Sequence, residues 1–186
     1  VLSLNQANLA QAEGNLSTGS CMNLDFAEDI FCFPGTQNQH FEGHHVLYAV
    51  DQVMPPNSIM RVTVTPNPDV EVSLYGYNVP VGSYDVPPMV RSAISCEASY
   101  TLDGIMHTPN PGVAETIEFQ NPTNQEYSVF FGVAGDDLTG TSGAYTVDVE
   151  LLVSEPHCEE SLSRPTSGES WPSDVSVLSL TNGEVS

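Results

Sequence analysis

The sequence has no lysine, and only three arginines stand against its 24 aspartates and glutamates. With histidine neutral, the 186-residue chain carries a formal net charge of −21. Proteins that bind nucleic acid or anionic lipid neutralise phosphates with clustered Lys and Arg, so this composition argues against both partners. A surface this acidic repels itself, and Ca²⁺ or high salt would relieve the repulsion. The partners it favours are cations, basic surfaces or neutral glycans.

The chain also has no long apolar run. Its apolar runs, such as Val46–Val50, are far shorter than a membrane span. The sequence begins at Val1 rather than Met and has no charged and apolar leader. This start is typical of a mature product whose signal peptide has been removed, although a trimmed product would begin in the same way. We therefore expect a secreted protein, extracellular or on a cell surface.

No two cysteines have the C-x-x-C spacing, so zinc-ribbon and redox motifs are not supported. The four cysteines are Cys21, Cys32, Cys96 and Cys158. Of the three connectivities that four cysteines allow, we favour a local Cys21–Cys32 clip and a long Cys96–Cys158 staple, because sequence neighbours pair most easily. The alternative is four free, buried thiols, which is the less common state outside the cell.

Short β-like runs, separated by Pro, Gly and Asn clusters, fill the middle of the chain. Several alternate between apolar and polar residues, as Met60, Val62 and Val64 do, which is typical of antiparallel sheets with one buried face. The pattern predicts an all-β protein: an antiparallel β-sandwich of about seven to eight strands, jelly-roll or Ig-like, with extended arms at both termini. The candidate strands are His45–Val53, Ile59–Thr65, Val70–Tyr77, Val90–Ala98, Ala114–Gln120, Tyr127–Ala134 and Ala144–Val153.

Three regions follow from this pattern. Residues 1–43 are predicted to be a polar, loosely packed arm in which Asn5–Glu13 could form a short helix. Residues 44–153 are the sandwich. Residues 154–186 begin as a Ser/Pro-rich linker and end in one more alternating run, Val175–Thr181.

The C-terminal run could close the chain's own sheet or add to the edge of a neighbouring copy. Its tetrapeptide Val177–Leu180 repeats Val1–Leu4 residue for residue, as though both ends offered similar edge strands. A match this short also arises by chance. The residues predicted to form such an assembly strand are Val175, Val177, Leu178 and Leu180.

Four stretches carry a resemblance to a known family: 45–50 (HVLYAV), 68–75 (PDVEVSLY), 127–133 (YSVFFGV) and 142–147 (SGAYTV). Together they resemble the bacterial pre-peptidase C-terminal domain, a secreted β-sandwich module of exported proteins. The last two stretches look like the closing hairpin of that family. The resemblance implies an accessory role in adhesion or substrate binding, without catalytic residues. Because no enzyme domain accompanies the module here, a free-standing structural or binding role is favoured.

Two clusters are candidate metal sites. His40, His44 and His45 lie with Glu42 within six residues and could supply ligands to Zn²⁺ or Cu²⁺. The alternative is a solvated loop, because neighbouring strand residues such as His44 and His45 point to opposite faces. Asp136 and Asp137 offer oxygen ligands of the kind that Ca²⁺ prefers, without a complete EF-hand loop.

Three tyrosines, Tyr75, Tyr77 and Tyr84, belong to one strand-to-loop segment. Exposed tyrosines stack on sugars or anchor protein interfaces. The alternative is that they cover a sheet edge or lie under the N-terminal arm. Asn15 begins the single N-x-S/T sequon and is a candidate for glycosylation.

Nothing in the sequence indicates catalysis, since no G-x-S-x-G elbow is present and no carboxylate pair stands out. The sequence predicts a non-enzymatic extracellular structural or adhesive subunit that self-associates into a fibre, sheath or surface layer, with terminal strand exchange as the mode of assembly. The alternative is a glycan- or substrate-binding accessory module. Calcium is the candidate cofactor.

Overall fold

The computed structural model of the chain describes residues 1–22, 40–87, 89–90, 95–96, 111–136 and 140–153. Within them the chain forms nine strands and a 3₁₀ helix, and no helix there is long and apolar enough to cross a membrane. The elements are β1 (Leu9–Asn15), the 3₁₀ helix (Leu16–Thr18), β2 (Ser20–Cys21), β3 (His44–Ala49), β4 (Ser58–Pro66), β5 (Val72–Pro80), β6 (Ser95–Cys96), β7 (Glu115–Asn121), β8 (Tyr127–Gly135) and β9 (Ala144–Val153).

The strands form two antiparallel sheets, which confirms the predicted β-sandwich. One sheet has four strands in the order β1-β9-β4-β7, and the other has five in the order β2-β3-β8-β5-β6. β9 is paired with β1 on one side and with β4 on the other along nearly its whole length. In the second sheet β8 has the corresponding place between β3 and β5.

The apolar core lies between the sheets, and the alternation in the sequence builds it. On β4, Met60, Val62 and Val64 are buried as predicted, while Arg61 and Thr63 lie on the outer face. The same alternation buries every second residue of β9. The core members with the largest buried side chains in this layer are Phe119, Phe131, Leu16, Met54, Met60 and Leu74.

The bounds of four strands agree closely with the sequence pattern. The predicted strand Ala144–Val153 is observed as β9 with the same bounds, and β4, β7 and β8 begin and end within one residue of the prediction. β3 ends earlier than predicted, at Ala49, and β5 is shifted toward Pro80. The predicted strand Val90–Ala98 is described in part, with β6 at its centre.

The predicted helix over Asn5–Glu13 is wrong. Asn5 and Asn8 instead form a turn, in which Asn5 Oδ1 accepts hydrogen bonds from the backbone of Ala7 and Leu9 and Asn8 has a φ of 60°. The chain then runs as β1, whose alanines pack on the core. Helix propensity is weak enough for such pairing to override it. The compact unit accordingly runs from Val1 to Ser154 and includes the described residues of the predicted arm.

Candidate functional site

The two predicted metal loops meet at one corner of the sandwich. His40, just before β3, is buried, and its Nδ1–H donates to Oδ1 of Asp136, just after β8. Backbone bonds fix the corner, with Gly43 N 3.0 Å from Gly135 O and His44 N 2.9 Å from Gly140 O. A Cβ on Gly43 or Gly135 would collide with the Gly140 carbonyl, so glycine allows this close approach.

The three histidines do not converge on a common point. His44 Nδ1 is 3.1 Å from the Leu16 carbonyl, whereas His40 bonds Asp136. His45 Nε2 is 2.7 Å from the Phe41 carbonyl, which accepts only, so this nitrogen carries the proton and Nδ1 accepts from the Tyr75 hydroxyl at 3.0 Å. The predicted three-histidine metal site is therefore wrong. Among the described residues, no three metal-ligating side chains form a group.

Burial controls the electrostatics of His45. Loss of solvent lowers its pKa below the ordinary value. The hydrogen bond to Phe41 raises the pKa by a smaller amount, and the charge of the nearby His44 lowers it further. His45 is thus neutral at neutral pH, in keeping with the tautomer that its two partners require.

The calcium prediction rests on Asp136 and Asp137. Asp136 already uses one carboxylate oxygen for His40, and Asp137 lies outside the described residues. Calcium at this loop stays a prediction.

Tyr75 and Tyr77 are buried, so the prediction that they form an exposed binding pair is wrong and the covered alternative holds. Phe41, which precedes β3, and His45, the second residue of β3, cover this face of β5. Their rings each meet Tyr75 edge to face at 5.7 Å. Tyr77 stacks on Phe130 at 5.6 Å. Burial raises the pKa of both tyrosines above the ordinary range.

Tyr84 is 81% exposed and belongs to a surface that we call the apolar loop: Val81, Tyr84, Val86 and Met89, all exposed. The turn that presents it contains Gly82, whose φ of 87° suits glycine. Beside it lies an open groove of about 710 Å³, lined by Pro56, Pro80, Val81 and residues 124–127. The sequence pattern indicates Tyr84 as a binding residue but not its apolar neighbours, for which the run of Val, Pro and Met from 79 to 90 is the available signal.

The structure also describes two further predicted sites, the cysteine Cys21 and the glycosylation candidate Asn15. Cys21 ends β2, opposite His44, as a free and exposed thiol, so the favoured Cys21–Cys32 disulfide is not formed. Cys32 and Cys158 lie outside the described residues, and the Cys96–Cys158 staple stays a prediction.

Asn15 caps the 3₁₀ helix through Oδ1, which accepts from Ser17 N at 2.9 Å. Glycosylation there would have to leave this cap intact.

The outer face of the four-stranded sheet carries the one arginine among the described residues. Arg61 reaches Glu118 at 2.7 Å and Glu150 at 3.1 Å. The hydrogen bond and charge of Glu118, followed by those of Glu150, raise the pKa of Arg61. The arginine therefore separates two carboxylates that would otherwise repel each other.

The N-terminal segment, Val1–Leu4, lies against the end of β3. Leu2 forms a parallel bridge with Val50, in which Leu2 N is 2.7 Å from Ala49 O and Asp51 N is 2.9 Å from Leu2 O. The Leu2 side chain enters the core and Leu4 packs on it. We call this position, the backbone of Ala49–Asp51 with the core behind it, the edge slot. The sequence predicted an edge strand here but not that the chain itself would fill it. The predicted assembly strand with Val175, Val177, Leu178 and Leu180 lies outside the described residues.

Comparisons with known proteins name no family for this chain. No family model matches it, and no curated protein matches it. Among solved structures, a chain described as a surface-associated copper-binding protein, CorA, important in copper acquisition by Methylomicrobium album BG8, has 12% sequence identity to this chain. The match covers 82% of this chain and 96% of that one, with a TM-score of 0.38. Similarity this low supports no inference about fold or function.

Proposed function

We propose that this protein is a non-enzymatic, extracellular structural or adhesive subunit that self-associates through backbone pairing and apolar contacts at its edges and termini. The observation that carries the proposal is the open edge of β1. This strand of seven residues ends the four-stranded sheet, and no described strand pairs with its outer side. Unpaired strand edges are templates for pairing with another chain.

The composition of β1 strengthens this reading. Proteins usually protect an exposed edge with lysine, proline or a covering loop, and β1 contains neither lysine nor proline. Its sequence LAQAEGN includes a single acid, Glu13. In a chain of net charge −21, contacts between copies must be apolar, backbone-mediated or bridged by cations. β1 meets the second condition, because the backbone of its outer edge can pair with another strand.

The test is the mass and appearance of the purified full-length chain. We expect light scattering to detect species much larger than the monomer, growing with concentration, and negative-stain images to reveal regular fibres or layers. Added Ca²⁺ or salt should increase assembly by screening repulsion. A chain that stays monomeric at every concentration, with and without these ions, would remove the basis of the proposal.

A second function, binding of a neutral glycan or another substrate, is favoured by one observation, the exposure of Tyr84 within the apolar loop beside its groove. Aromatic rings that stand free of the surface stack readily on apolar ligand faces. Glycan-array binding by the wild type that falls at least tenfold in Tyr84→Ala would support it.

The matched control for that experiment is Val113→Ala. Val113 is also exposed but follows Gly112, which bonds Val70 at the opposite end of the sandwich. Its binding should equal that of the wild type. Equal losses in both variants, or no binding to any glycan, would count against this second function.

A further inference from the structure

We infer that the edge slot of one copy is the receptor for the C-terminal segment Val177–Leu180 of a second copy. This segment takes the place of Val1–Leu4 of the receiving copy. This inference rests on the proposed self-association and adds the contact through which one copy holds the next. The occupant is a segment of this same chain, chosen by its sequence and by the geometry of the slot.

The slot selects side chains by alternation. Val1 is 89% exposed and Leu2 is 8% exposed, because the parallel pairing with Val50 turns the first residue outward and the second into the core. Ser3 is exposed again, and Leu4 is packed against the core. The slot therefore requires an inward leucine, an outward small polar residue and a second apolar residue.

The C-terminal segment meets these requirements position by position. Its residues are Val, Leu, Ser and Leu, identical to those of the N-terminal segment, so Leu178 would take the place of Leu2 and Leu180 that of Leu4. The backbone bonds to Ala49 and Asp51 do not depend on the side chain, whereas the core position of the leucine gives specificity. The segment carries no charge, so docking it adds no repulsion to copies of net charge −21.

The chain is long enough to reach a neighbour. Between Val153, the end of β9, and Val177 lie residues 154–176, which is 176 − 153 = 23 residues. An extended stretch of this length spans up to about 75 Å, more than the width of a domain of this size. Each copy has one slot and one C-terminal segment, so the contact is head to tail and generates an open filament or a ring.

The experiment compares two full-length variants that add the same charge to opposite faces of the segment. Leu178→Asp changes the residue that would enter the core, and Ser179→Asp changes the one that would face solvent. We expect the mean assembly mass in light scattering to fall at least tenfold in Leu178→Asp and to stay at the wild-type value in Ser179→Asp. If the wild type assembles and both variants assemble equally well, this inference fails while the proposed function stands.

A peptide experiment identifies the slot itself and does not depend on assembly. A labelled peptide of residues 175–181 is added to full-length Leu178→Asp protein, whose slot is unchanged. We expect saturable binding together with faster hydrogen exchange at the Leu2 amide, which the peptide displaces from Ala49. The same peptide with Asp in place of Leu178 is the control. Absence of saturable binding, or binding without a change at Leu2, overturns the inference.

Discussion

At the scale of single residues, the most informative part of the molecule is the buried polar cluster around His45. Its two ring nitrogens bond Phe41 and Tyr75, and burial lowers its pKa. The cluster covers the second face of β5. These contacts make His45 a structural residue whose neutral form the fold requires, because both of its ring nitrogens are used in hydrogen bonds to protein groups.

The lowered pKa of His45 predicts a dependence of stability on pH. The unfolded chain takes up a proton at His45 near the ordinary pKa of about 6.5, and the folded chain resists it. Because the unfolded state then binds more protons, this residue costs stability as the pH falls below that value. The loss continues until the folded pKa is reached.

The check is urea denaturation of the wild type and His45→Gln at pH 7.5, 6.5 and 5.5. We expect His45→Gln to be less stable at pH 7.5 by about 1–3 kcal/mol, because Tyr75 and Phe41 lose a well-placed partner. The difference in free energy of unfolding between the wild type and His45→Gln should narrow toward pH 5.5, whereas Tyr75→Phe, which keeps the buried histidine, should still lose stability as the pH falls. A gap that stays constant across this range would contradict the assignment.

At the scale of elements, the N-terminal segment and β1 are part of the sandwich. Leu2 is a core residue and Val1 is a surface residue, although they are neighbours in sequence. The prediction is that Leu2→Ala lowers the free energy of unfolding by about 2–3 kcal/mol, while Val1→Ala changes it by less than about 0.5 kcal/mol. Equal midpoints for the two variants in urea denaturation would mean that the segment does not pack as described.

The strands differ in how far the sequence alone could predict them. Alternation over Ser58–Pro66 and Ala144–Val153 is a local pattern, so the strands and their buried faces could be found without a structure. β1 could not, because its strand state depends on pairing with β9, more than 120 residues away. Alternation along β5 also places Tyr75 and Tyr77 on the face opposite Leu74. No local pattern predicts that the residues around Phe41 cover that face. The His40–Asp136 contact joins residues 96 positions apart, which no spacing rule reaches.

At the scale of the whole molecule, charge is the dominant property. A net charge of −21 opposes both compact folding and close approach of copies. Arg61 offsets part of this on the outer face of the four-stranded sheet by bridging Glu118 and Glu150. Contacts with other copies are proposed at β1, which carries a single acid, Glu13, and at the edge slot, whose proposed occupant Val177–Leu180 carries no charge.

This balance predicts a dependence of stability on salt. We expect the Tm of the wild type to rise by several degrees between 10 mM and 500 mM NaCl, since screening weakens repulsion. Arg61→Gln should lower the Tm at 10 mM NaCl, and the difference should shrink at 500 mM. The Tm of Arg61→Lys, which keeps the charge, should lie between the Tm of the wild type and that of Arg61→Gln. A Tm that does not depend on salt in any of the three proteins would show that repulsion is not a significant term.

The place of β9 has a mechanical consequence. A load applied to the chain beyond Val153 pulls β9 along its own axis, and β9 is held by the β1 ladder on one side and the β4 ladder on the other. In antiparallel ladders the hydrogen bonds run perpendicular to the strands, so a lengthwise pull shears both sets at once instead of opening them one bond at a time. Resistance to tension is thus built into β9, where a chain that links one copy to the next would transmit it.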